Sequence, residues 1–196
     1  MPLTTAQLTT LKAHVIANAD AAVQAAYAAG NDTELARLYN LPSAFIVWEP
    51  YTSKVAIFGA INWKNFTPLD PVPVAAVPAT PTEGEKYALQ QYTARAKVCQ
   101  SSQFNIQTLL ISPGDTLDMS ISNIRNGVKD SLQNLPSGPA GALLDAGWSA
   151  VKTAATRAAR VVESVFSTGT GTTGTPGTLV YIGEVSIDDL GKMRSL

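Results

Sequence analysis

The chain has 196 residues, 45% of them hydrophobic, a formal net charge of −1 and a single cysteine. That length supports one domain with a real core, or one domain carrying extended arms. A near-neutral chain has no electrostatic footprint for nucleic acid or anionic membranes, and one thiol, Cys99, excludes an internal disulfide and a cysteine-rich metal site. Charged residues make up only 15%, against about 25% in typical soluble domains, so much of the surface is expected to be covered by partners. The opening Met1-Pro2-Leu3-Thr4-Thr5 lacks the basic and apolar regions of a signal peptide, and no apolar run approaches the ~20 residues that span a bilayer. The expectation is synthesis in a cytoplasm and no membrane partner.

In chain order, residues 5–17 read as a helix capped by Thr4 or Thr5, with Leu8, Leu11 and Val15 on its apolar stripe. Asp20 is a good cap for a second helix ending at Gly30, although one kinked continuous helix fits as well. Asp32 caps a short third helix with Leu35 and Leu38 inward, closing near Asn40 before Pro42. Ala44-Phe45-Ile46-Val47-Trp48 is a strand or a buried extended segment. Residues 51–63 form a weak helix with Val55, Phe58 and Ile61 inward. Between Thr67 and Pro81, the prolines 68, 71, 73, 78 and 81 impose an extended arm or loop, and its interspersed valines suggest that it lies along a surface.

Thr82 followed by Glu85 is a capping box that starts a helix to Gln100. Phe104 to Ile111 is a buried strand or a further helical turn, and Pro113-Gly114 is a turn. Asp118 to Leu135 is a helix with Ile121, Ile124, Val128 and Leu132 on one side. From Pro139 to Ser167, Leu144, Trp148, Val151, Ala155, Ala158, Val162 and Val165 alternate in steps of four and three, the stripe of one long helix about 42 Å in length. Trp148, within that stripe, is read as core. Gly169 to Gly177 is a Gly/Thr-rich hinge, flexible in isolation, and the apolar run from Thr178 leads to a last turn started by Ser186 and Asp189.

The fold class expected is mainly α, a helical bundle built around that long helix, with a proline-rich extended arm and a C-terminal β-like arm. Its segments are N-terminal helices (1–66), the proline-rich arm (67–81), a helical core (82–168), and a hinge with a docking arm (169–196). An apolar segment on a flexible tether suits a partner's groove or sheet edge, which marks Leu179, Val180, Tyr181, Ile182, Ile187 and Leu190 as docking residues. Deleting residues 178–196 is then expected to leave a folded body that no longer joins its partner.

No catalytic constellation, cofactor motif or metal-ligand spacing emerges, and the chain is read as a non-enzyme without a cofactor. Gly169-x-Gly171-x-x-Gly174 matches the letter of the dinucleotide fingerprint, but a helix precedes it and a strand follows, the reverse of what phosphate binding at a helix N-terminus requires. His14 has no partners at triad or zinc spacing. Cys99 reads as a buried structural thiol, and Glu83/Glu85 and Asp188/Asp189 as first-turn charges on helices. Lys152, Arg157 and Arg160 form a basic edge on the long helix, which in a ring of subunits would face a channel and touch packaged DNA non-specifically.

Four stretches, Ala154-Ala155-Thr156-Arg157-Ala158-Ala159-Arg160, Phe166-Ser167-Thr168-Gly169-Thr170-Gly171-Thr172, Thr178-Leu179-Val180 and Gly183-Glu184-Val185-Ser186-Ile187-Asp188-Asp189, resemble small tailed-bacteriophage or prophage proteins. Leu8-Thr9-Thr10-Leu11-Lys12-Ala13-His14 and Phe45-Ile46-Val47-Trp48 look similar too. The resemblance implies a virion component of the head or neck, closest to the helical adaptors that form a ring beneath the portal. The partners it implies are other copies in a homo-oligomeric ring, the portal protein and a further neck or tail protein. A capsid decoration or tail-completion protein is the alternative of the same kind; a small helical ligand-binding domain or enzyme is the alternative of another kind.

Overall fold

The computed structural model describes residues 2–73 and 82–196. Residues 74–81 of the expected proline-rich arm lie outside them. In chain order the elements are α1 (Thr5–Ala17), α2 (Ala21–Ala28), α3 (Asp32–Tyr39), β1 (Pro42–Trp48), β2 (Thr52–Ser53), α4 (Lys54–Ala60), α5 (Glu83–Ile111), β3 (Thr116–Leu117), α6 (Ser122–Leu132), α7 (Trp148–Ala154), β4 (Thr156–Arg160), α8 (Val161–Phe166) and α9 (Ile187–Ser195). The chain is mainly helical and divides into two compact units: unit 1 is Met1–Trp48 with Thr156–Leu196, and unit 2 is Glu49–Ala155.

Unit 1 starts as its sequence dictates. The Thr4 hydroxyl accepts from Gln7 N and the Gln7 side chain accepts from Thr4 N, a complete capping box on α1. Asp20 caps α2, and Asn31, one residue before the expected Asp32, caps α3. The apolar faces of these helices meet in a core with Leu11, Val15, Leu35 and Tyr39 all fully buried. The aromatic and β-branched run becomes β1, paired antiparallel with β4. The other edge of β1 is occupied by the Gly/Thr segment: Ile46 N donates to Gly171 O, and Gly177 N donates to Ile46 O, both at 2.8 Å. The expected flexible hinge is thus an ordered edge, closed by paired bonds between Thr168 and Thr178. It fits because glycine leaves room for the Phe45 ring; a Cβ on Gly177 would overlap that ring and stand 2.7 Å from Thr168 O. Gly177→Ala is expected to cost about 2 kcal/mol through overpacking. Gly174→Ala, whose Cβ would meet only Thr172 Oγ1 at 3.7 Å, is expected to be near neutral. Thermal melts of the two variants check this, and equal shifts would remove the packing explanation.

The C-terminal tail returns to the same core. Tyr181, Val185, Leu190 and Met193 are buried among Leu3, Leu8, Leu11 and Val162. Asn40 pairs with the Val185 backbone in both directions, Nδ2 to O at 3.0 Å and Oδ1 from N at 2.9 Å. Asp189 caps α9 with Ser186 and also accepts from Leu3 N. Arg194 lies over the Tyr27 ring and donates to Asp32 at 2.6 Å.

The long helix expected over residues 139–167 does not form. Pro139–Gly141 is a short 3-10 turn, and Leu144 pairs with Leu135 as an antiparallel bridge. Gly147 has φ +103, where a Cβ would meet Ala60 O, and Asp145 accepts from both Gly147 N and Trp148 N to start α7. Residues 156–160 are extended because β1 takes them as its partner strand. The boundary between the two units, at Ala155, therefore falls inside the expected helix. Val151, Ala155 and Val162 of the stripe are fully buried all the same, but in separate elements, while Trp148 is only half-buried.

The long helix of the molecule is α5, of 29 residues, which starts on the expected Thr82–Glu85 capping box and absorbs Phe104–Ile111. In unit 2 it packs on α6 and on the Trp63–Phe66 turn, and its buried residues are Cys99 and Ile106. Helix α6 begins at Ser122 rather than Asp118, whose carboxylate instead closes a turn by accepting from Ser120 N. Arg95 on α5 pairs with Asp70 at 2.6 Å and donates to Gly138 O, holding the segments around residues 70 and 138 against the same helix. Helix α4 presents Ile57 inward, not Val55 and Phe58, which are 81% and 54% exposed.

Candidate functional site

The six residues expected to dock a partner divide. Leu190 and Tyr181 are buried in unit 1, Leu179 is half-buried, and Val180, Ile182 and Ile187 stay 65%, 43% and 51% exposed. Within this fold the tail is core on one side and apolar surface on the other. The three basic residues expected on one long helix lie on different elements: Lys152 on α7, Arg157 and Arg160 on β4.

Both arginines converge on Glu163, which is fully buried at the start of α8. Arg157 grips it bidentately at 2.7 and 3.0 Å, Arg160 N donates at 2.8 Å, and Gly183 N of the tail donates at 3.2 Å. Arg160 also reaches Glu184 at 3.0 Å. Burial works to raise the Glu163 pKa, but the Arg157, Arg160 and Gly183 bonds outweigh it, and the carboxyl titrates below its ordinary value. The cluster binds three segments of unit 1 together and leaves this carboxylate fully engaged.

The remaining candidates have structural roles. His14 Nδ1 sits 2.9 Å from the hydroxyl of buried Tyr39, and burial lowers its pKa. Cys99 is fully buried, which pushes its thiol up. Glu83 pairs with Lys86, Glu85 completes the α5 cap, and Asp189 completes the α9 cap. Among the described residues no group of three or more His, Cys, Asp or Glu is placed to hold a metal, and no helix is long and apolar enough to cross a membrane. Gly169, Gly171 and Gly174 lie in the loop beside β1, with no helix N-terminus following.

Sequence reasoning missed a feature of unit 2. Between α4 and α5 runs an apolar groove of about 430 Å³, lined by Lys54, Val55, Phe58, Gln107, Leu110 and Ile111. Phe58 packs against Trp63 with the rings tilted and 4.8 Å between centroids, and Trp63 in turn packs on Phe66. Lys54 is buried and donates to Ser112 O and Oγ; no carboxylate among the described residues pairs with it. No protein-family model, curated protein or solved structure matches the chain. The groove and the bare faces of α5 beside it are apolar surface of unit 2 left open to solvent. The signal for them was in the sequence, since apolar residues fall on more than one face of residues 83–111, which a helix with a single buried side does not need.

Proposed function

We propose that the chain is a structural subunit of a tailed-bacteriophage particle, of the head–tail connector kind. It joins copies of itself in a ring and meets the portal protein and a further neck or tail protein. The assembly reading is carried by α5. Of its 29 residues only Cys99 and Ile106 are buried, Glu83 to Ala88 are all exposed, and Tyr87, Val98, Phe104 and Ile111 are 51–81% exposed. At about 100° per residue, Tyr87 and Val98 share one face, and Phe104 and Ile111 share another about 120° away. A subunit in a closed ring meets its two neighbours through two different surfaces. Two separate apolar faces on one helix suit that requirement, and a chain with 15% charged residues gains by covering them. The connector assignment within this class comes from the resemblance of the stretches between Ala154 and Asp189 and of the two N-terminal stretches to phage proteins.

Native mass measurement with negative-stain imaging of the purified full chain tests the proposal. The expected result is a closed ring of one stoichiometry at micromolar concentration. A monomer at every concentration would overturn it.

A further inference from the structure

We propose that the α4/α5 groove is the socket for Tyr87 of the adjacent copy of this chain. The inference rests on the assembly reading and names the contact that joins one subunit to the next.

The groove offers an apolar trough with one polar side chain, Gln107, and a buried ammonium, Lys54, whose partners among the described residues are the neutral oxygens of Ser112. Its complement is an aromatic ring with a polar tip, flanked by a carboxylate. The exposed first turns of α5 carry that set. Tyr87 is 62% exposed, and Glu83, four residues earlier on the same helical face, has a side chain 89% exposed. The pair Glu83–Lys86 is a surface contact of small worth and does not hold Glu83 back. Tyrosine is favoured as an interface anchor because its ring buries apolar area while its hydroxyl finds a hydrogen bond, here with Gln107 as donor or acceptor.

Anchor and socket cannot meet within one copy. Tyr87 and Gln107 are 20 positions apart on one continuous helix, about 30 Å along its axis. The contact therefore joins two copies; in the ring reading each copy fills its neighbour's socket and leaves its own for the next, a head-to-tail contact that closes when the rotation permits. A two-fold pair that exchanged the same contact would use up both anchors and both sockets at once, so the doubly substituted chain would stop at a doubly linked dimer, whereas a head-to-tail series leaves one socket open at each step.

Site-directed cross-linking tests this. Gln91→Cys, one turn from the anchor and leaving Tyr87 in place, and Val55→Cys both replace exposed side chains, and circular dichroism checks that the variants fold. Cys99 is buried and stays out of the reaction. Under mild oxidation the mixture of the two single variants should give a linked heterodimer. Each variant alone should give no link, and the double variant should give a ladder of linked oligomers. Tyr87→Ala should weaken self-association at least about tenfold, and Glu83→Lys should produce a smaller loss that depends on salt. Self-linking of Val55→Cys would overturn the proposal in favour of a two-fold face. Absence of a link in the mixture, with an oligomer still seen by native mass, would overturn this contact and leave the assembly reading standing. A chain monomeric throughout would overturn both.

Discussion

A chain ending at Thr178 should lose the fold of unit 1. The segment removed carries Tyr181, Val185, Leu190 and Met193, all buried against Leu3, Leu8, Leu11 and Val162. Full burial of such side chains is worth about 1.5–3 kcal/mol each, so their joint removal costs on the order of 6–12 kcal/mol. That is comparable to the whole stability of a typical domain. The truncation also strips Asn40 of its reciprocal bonds to Val185, Leu3 N of its acceptor Asp189, and Glu163 of Gly183 N. The expected result is loss of amide protection in α1 and α3 with a marked fall in helical ellipticity. Leu190→Ala is the graded version: a fully buried leucine is lost, at a cost of about 3 kcal/mol. A truncated chain that melts like the parent, with α1 still protected, would show that the tail contributes nothing to this core.

The tail also shows where sequence reasoning succeeds and where it stops. Local chemistry was legible: Thr4, Asp20, Thr82 with Glu85, and Ser186 with Asp189 start helices because their side chains bond amides within three residues. The strand at Phe45–Trp48 was legible as one of two options from its β-branched and aromatic content. What depended on distant partners was not. The spacing of residues 139–167 satisfies a helix, yet Thr156–Arg160 is drawn out by an open strand more than a hundred positions away, and Gly147 needs a left-handed turn against Ala60 O. The Gly/Thr stretch reads as flexible because nothing in it announces that β1 has a free edge and that Phe45 needs two glycines beneath its ring. The groove escaped for a related reason. Val55 and Phe58, one turn apart, mark an apolar face, but only the tertiary structure tells that Ile57 is the side turned inward. The bare faces of α5 were masked by polar residues spread evenly around it, which made the helix look only modestly amphipathic.

Glu163→Gln should be the most damaging single charge change in the molecule, by about 3 kcal/mol, with a fall in melting temperature on the order of 10 °C. Glutamine keeps the volume but replaces one acceptor oxygen with a donor. It must then face the Arg157 guanidinium or the amides of Arg160 and Gly183, which are donors too. Arg157 retains partial exposure, so water recovers some of the loss, and the figure falls at the low end for breaking a buried pair. The pH dependence gives the test a sign. Burial alone would raise the Glu163 pKa; its bonds to Arg157, Arg160 N and Gly183 N reverse that and set the folded value below the ordinary 4.5. A depressed folded pKa means stability that is fully present above pH 4.5 and lost as pH falls through the folded value. Asp189 is shifted in the same direction, burial opposing and its bonds from Ser186 and Leu3 prevailing, so unit 1 as a whole should be acid-labile. Parent and Glu163→Gln should therefore differ by the full amount at neutral pH and converge as the parent's Glu163 protonates below pH 4.5. Melting curves of both proteins across that range decide it, because a gap that stays constant with pH would mean that the substitution acts through packing rather than through the charge.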